Sequence, residues 1–200
     1  MKIKICGVTS AKDIAIISRL PVWAIGFNAY RGSPRYLDPI AMQRLCGATP
    51  SGIVKVGVFV NAATDNICEA RKVCHLDLVQ LHGDETPEQC GALAPGVIKA
   101  FRLSGDRALP RFEDYAPFVD YFLLDAYAAS AYGGTGRSID LALLKDLKLS
   151  KPMLVAGGIG WHNAAALWQD LQPFALDICS AVESSVGIKD PVKLQKIFQL

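Results

Sequence analysis

The chain has 200 residues, of which 51% are apolar and 20% charged, with a formal net charge of +2. That length can bury about 70% of the unfolded-chain surface in one core, and the composition is that of a globular protein, not of a disordered or fibrous chain. The balanced charge without a basic run argues against a nucleic-acid or membrane surface, and no long apolar run follows the first charged residues, so neither a secretory signal nor a membrane span is expected.

Along the chain, short apolar, β-branched runs alternate with stretches of helical periodicity. The first run is KIKIC (2–6), and Ser10 followed by Asp13 reads as a capping box opening a helix whose Ile16, Ile17 and Leu20 would pack inward. VWAIGFN (22–28) is the second run, and Asp38-Pro39 then places a capping side chain before a proline at a first helical position. IVKVGVFV (53–60) and DLVQL (77–81) follow, with Thr86-Pro87 opening another helix. VIKAFR (97–102) and YFLLD (121–125) come next, and then the longest loop, residues 126–138, rich in small residues. Loops of that length in compact domains are usually lids or binding loops. PMLVAG (152–157) precedes a helix with Ala164, Leu167, Trp168 and Leu171 on one face, and ALDIC (175–179) precedes another with Leu194, Ile197 and Phe198.

Eight strand-like runs alternating with helices predict an α/β chain, folded as one (β/α)8 TIM barrel over residues 1–200. An open doubly wound sheet would suit five or six runs better. In a barrel the chemistry gathers at the C-terminal strand ends. Those ends carry Cys6, Asn28, the stretch Gln80 to Asp84, Asp125, Gly157-Gly158 and Cys179-Ser180. AGGIG (156–160) and CSAVESSVGIKD (179–190), the latter with room for a short extra helix, lie where barrels bind phosphate through backbone N–H groups. The alternative is glycines that merely turn the chain. GGTG (133–136) in the long loop is open to both readings.

Six cysteines (6, 46, 68, 74, 90 and 179) include no C-x-x-C pair, and Cys68, Cys74 and His75 match no zinc spacing, so reduced thiols and no metal are expected.

KICGVT (4–9), GFNAYRGSPRYL (26–37), KVGVFVN (55–61), VQLHGDE (79–85), IKAFR (98–102), LLDAYAASAYGGTG (123–136), VAGGI (155–159) and DICSAVESSVGIKD (177–190) occur in this order across nearly the whole chain. Together they resemble the phosphoribosylanthranilate isomerase family of tryptophan biosynthesis. The resemblance implies an Amadori rearrangement of N-(5-phosphoribosyl)anthranilate, in which the furanose opens and C2 loses a proton. It implies Cys6 as general base, Asp125 as general acid and Arg35 of the SPR element as the grip on the anthranilate carboxylate. Gly157, Gly158, Ser180 and Ala181 would form the phosphate loops, and Gly134 would join the substrate contacts. His82 would either line the site or cap the fourth loop.

The roles make physical sense. An arginine grips a carboxylate with two parallel hydrogen bonds. Asp125 must start protonated, and Cys6 must be able to lose its proton. No cofactor or metal is implied, the expected partner is a small sugar phosphate, and the protein is expected to be cytoplasmic, as a monomer or homodimer. Ala29, Arg31-Gly32 and Cys179-Ser180-Ala181 depart from the usual family pattern, the last from Ser-Ser-Gly. A sugar-phosphate epimerase barrel would bring metal-binding histidines to several strand ends, whereas only His82 of three histidines lies at one. A non-catalytic binding barrel would lack Cys6 or Asp125.

Overall fold

The computed structural model describes residues 1–103, 109–126, 144 and 147–199. Eight strands form a closed parallel barrel in sequence order. They are β1 (Ile3–Cys6), β2 (Ala24–Asn28), β3 (Val54–Phe59), β4 (Leu78–Leu81), β5 (Val97–Leu103), β6 (Tyr121–Ala126), β7 (Met153–Ala156) and β8 (Ala175–Ile178). Each expected run is found: six are trimmed by one or two residues, and the fifth and sixth each run one residue longer. Closure comes from β1, which pairs with both β2 and β8.

Strand periodicity of two divides the apolar residues into two layers. Ile5, Ile25, Phe27, Val79, Leu81, Phe122, Leu124, Val155, Leu176 and Ile178 face outward and pack under the helices. Ala24, Val56, Ile98, Ala100, Leu123, Leu154, Ala156 and Ala175 fill the barrel interior. Trp23, Tyr121 and Phe174 pack against that interior cluster and against one another, with ring centroids 4.9–5.9 Å apart. Four alanines together with Val56, Ile98, Leu123 and Leu154 fill the narrow bore of an eight-strand barrel, which is a packed core and not a pore.

Helices α1 (Ala11–Ile17), α2 (Pro39–Ala48), α3 (Thr64–Val73), α4 (Pro87–Leu93), α5 (Phe112–Tyr115), α6 (Ala164–Leu171) and α7 (Pro191–Phe198) lie between or after the strands. Asp38 caps Ala41 N, and Thr86 with Gln89 forms a reciprocal capping box. Ala164 and Leu167 of α6 and Leu194 and Ile197 of α7 are buried as their spacing predicts.

Three expectations are corrected here. Ser10 does cap Asp13 N, but Asp13 does not return the bond. Its short carboxylate is buried and accepts instead from Lys189 N at 3.2 Å. Helix α1 also ends at Ile17, so Leu20 packs half-buried from the following turn while Ile14 joins Ile17 in the core. The stretch 179–190 holds only a single 3₁₀ turn, Ser180–Val182, in place of the extra helix. The rest is an antiparallel hairpin, β9 (Glu183–Ser185) and β10 (Ile188–Lys189). The expected lid from residue 127 onward, with Gly134, lies outside the described residues.

Candidate active site

A cavity of about 530 Å³ opens at the C-terminal ends of the barrel strands. Cys6, Arg35, His82, Asp125, Gly157, Gly158 and Ser180 all line it. Ala181 does not; its side chain packs half-buried against the core behind that wall. Gly157 and Gly158 have φ of +92° and +63°, a left-handed backbone that other residues adopt at a cost. Asn163 ties this turn down, accepting from Gly160 N and donating to Gly158 O.

Arg35 reaches the cavity from the loop after β2. Asn28, the last residue of β2, shapes that loop by donating to Ser33 Oγ and accepting from Tyr30 N, and Ser33 Oγ then accepts from Arg35 N. Gly7 makes room for the arginine stem. Its φ is +70°, and a Cβ there would collide with Arg35 Cδ. The guanidinium is held side-on: Nε and Nη2 donate to the two oxygens of Glu183 at 2.8 and 2.7 Å. Lys189 Nζ donates to the same carboxylate at 2.9 Å, and to the backbone oxygens of Cys6 and Cys179. Burial opposes the charge on Glu183, but the bonds from Arg35 and Lys189 outweigh it and hold the carboxyl below its ordinary range.

Asp125, the last but one residue of β6, lies on the interior face and is buried. His82 Nε2 lies 3.1 Å from its Oδ2, and Gln80 Nε2 lies 2.8 Å from His82 Nδ1. With Gln80 donating to Nδ1, that nitrogen accepts and Nε2–H donates to Asp125 Oδ2. Turning the Gln80 amide over reverses the chain, so that its oxygen accepts from Nδ1–H and Nε2 accepts from a protonated Asp125. The Gln80–His82–Asp125 chain can therefore run in either direction. His82 is held at the rim from below. Glu85 accepts from Asn61 N and Gly83 N, and the buried Lys99 bonds Glu85 and the carbonyls of Leu81 and Gly83.

Cys6 stands across the cavity from Asp125. Burial pushes its thiol pKa up, while the ammonium groups of Lys4 and Lys189 pull it down and Asp177 pushes it up again. Cys179, the residue just after β8, is pushed up to about 12, chiefly by burial.

Sequence reading missed Lys4, Asp177, Glu183 and Lys189. One signal was available: Lys4 and Asp177 are charges inside apolar strand runs, at positions whose parity puts them inside the barrel with Cys6 and Cys179. Nothing local marked Glu183 or Lys189, which reach the site only through the hairpin.

The sequence profile of N-(5'phosphoribosyl)anthranilate (PRA) isomerase matches residues 3–200. The chain belongs to the phosphoribosylanthranilate isomerase family. The N-(5'-phosphoribosyl)anthranilate isomerase of Citrifermentans bemidjiense is 39% identical, with 98% of this chain and 94% of that one covered. The crystal structure of phosphoribosyl anthranilate isomerase from Thermus thermophilus superposes with a TM-score of 0.89 at 34% identity, covering 100% of this chain and 97% of that one. A further isomerase structure, in complex with reduced 1-(o-carboxyphenylamino)-1-deoxyribulose 5-phosphate, gives a TM-score of 0.86 at 30% identity, with 100% and 97% covered.

Proposed function

We propose that this chain isomerises N-(5-phosphoribosyl)anthranilate to the carboxyphenylamino-deoxyribulose phosphate in tryptophan biosynthesis, by general acid and base catalysis from Asp125 and Cys6. The observation that carries the assignment of roles is that both side chains open onto one cavity beside Arg35. The Asp125 carboxyl gives its proton to the furanose oxygen as the C1–O bond breaks and the anilino nitrogen forms C1=N. The Cys6 thiolate then takes the C2 proton, and the electrons move into the iminium to leave an enolamine. Protonation at C1 and loss of the C2 hydroxyl proton complete the ketose.

Arg35 turns toward the anthranilate carboxylate the part of its guanidinium that Glu183 does not hold. The phosphate lies against Gly157, Gly158 and Ser180. The reaction calls for no further group, and the chain works in the cytoplasm; no described helix is long and apolar enough to cross a membrane.

The test is turnover of phosphoribosylanthranilate, whose fluorescence changes on conversion. Cys6→Ala and Asp125→Asn should each lower kcat by about 10² or more, the usual size of a lost acid or base. A folded protein with no turnover would sink the assignment, and full turnover in either variant would remove that residue from the mechanism.

A further inference from the structure

A buried ion pair lies under the candidate base, and the chemistry above leaves it without a part. Lys4 precedes Cys6 by two residues on β1, so both side chains enter the barrel. Lys4 is wholly buried, and its Nζ donates to Asp177 Oδ2 at 2.8 Å from the position in register on β8. The other oxygen, Oδ1, is buried without a hydrogen-bond partner. Such a pair seldom stabilises a fold more than apolar residues of similar volume would, so its place at the barrel floor calls for another role.

Gly26 supplies the second observation. It sits in register with Cys6 on β2. A Cβ at this position would lie 2.8 Å from Cys6 Sγ and 3.2 Å from Lys4 Nζ. The sulfur and the ammonium therefore border the same small space, which is open because residue 26 has no side chain.

We propose that Lys4 is a positioning residue for the base: its ammonium, held by Asp177 and admitted by Gly26, stabilises the Cys6 thiolate. The proposal rests on the reading of Cys6 as the base. Among the described residues, the charged and titratable groups facing Cys6 are Lys4 on its own strand, Asp177 and Cys179 from the β8 side, Lys189 from β10, Arg35 from the loop after β2 and, across the cavity, His82 and Asp125. Arg35 directs Nε and Nη2 at Glu183, and Lys189 bonds Glu183 and two backbone oxygens. Lys4 Nζ instead borders, with the sulfur, the space that Gly26 leaves open, and its ammonium favours the thiolate more strongly than that of Lys189 does. Burial drives the thiol toward its neutral form; the ammonium opposes this and the Asp177 carboxylate reinforces it.

Those opposed signs give the test. The Cys6 thiolate is titrated by its ultraviolet absorbance, as the difference at each pH between a protein and its Cys6→Ser counterpart. Lys4→Met should move the midpoint up by about one pH unit or more, a tenfold fall in ionised fraction. Asp177→Asn should move it down. Shifts in the same direction, or none, would overturn the proposal, because a merely structural pair has no reason to act with opposite signs. If Lys4→Met does not fold, Lys4→Met/Asp177→Leu replaces the pair with apolar residues and should still titrate above the unsubstituted protein; a midpoint at or below it overturns the idea.

In turnover, Lys4→Met should lower kcat at least tenfold at neutral pH with KM little changed, and the deficit should shrink as pH rises. The titration needs no substrate. It therefore decides this point even if the proposed reaction fails.

Discussion

Glu183→Gln is the change that most directly tests how Arg35 is aimed. The wild-type carboxylate receives three charge-assisted hydrogen bonds, two from Arg35 at 2.8 and 2.7 Å and one from Lys189 at 2.9 Å. Its side chain is only 4% exposed and that of Lys189 is not exposed at all, so screening is slight. Removing one partner of a buried pair costs about 3–5 kcal/mol. Glutamine keeps one acceptor but turns an amide toward two cations, which puts the loss near 3 kcal/mol by the same scale. At roughly 2–4 °C per kcal/mol for a chain of this size, Tm should fall by about 6–12 °C.

The freed guanidinium should also lose its orientation, raising KM for phosphoribosylanthranilate with a smaller change in kcat. Thermal unfolding followed by circular dichroism, and steady-state fluorescence assays, read the two effects. Because the folded-state pKa of Glu183 is lowered, its contribution is fully present above the ordinary carboxylate value of about 4.3 and fades as pH falls through the lower folded value. The Tm gap between the two proteins should therefore close in acid. An unchanged Tm and KM, or a gap that persists in acid, would refute the electrostatic account.

Two further outcomes follow from the site. Burial holds the Cys6 thiol above its ordinary range, and the base must be ionised, so kcat/KM should climb with pH to a midpoint above the usual thiol value of about 8.5; a plateau reached near neutrality would show that Cys6 is not the titrating base. Gly7→Ala should cost about 1–2 kcal/mol for its left-handed backbone and push the Arg35 stem aside, so that KM rises while Cys6 remains in place; an unchanged KM in steady-state assays would show that the stem does not depend on that space.

The helix starts were legible because they are local. Asp38-Pro39 and Thr86-Pro87 satisfy orphan N–H groups within three residues, whatever the rest of the chain does. Asp13 shows the limit of that logic. Its spacing from Ser10 suits a capping box, yet its carboxylate bonds Lys189 N, 176 residues away, which no local pattern announces. The stretch 179–190 shows the same limit, since its Gly187 and polar residues suit a turn as well as a helix start, and it folds as a hairpin.

By itself, the sequence determined the alternation of eight strands with helices, and through the two-residue period of each strand it determined that Cys6 and Asp125 share the barrel interior at one rim. The tertiary structure alone decided which charges meet there. Lys4 pairs with Asp177 across 173 residues, Arg35 with Glu183 across 148, and Lys189 reaches Cys6 O across 183. Those partners are set by the closure of β1 on β8 and by the hairpin beyond it. Closure is a property of the whole sheet: strand register places the ends of the chain side by side, and only then is there a buried space in which the ammonium of Lys4 can approach the sulfur of Cys6.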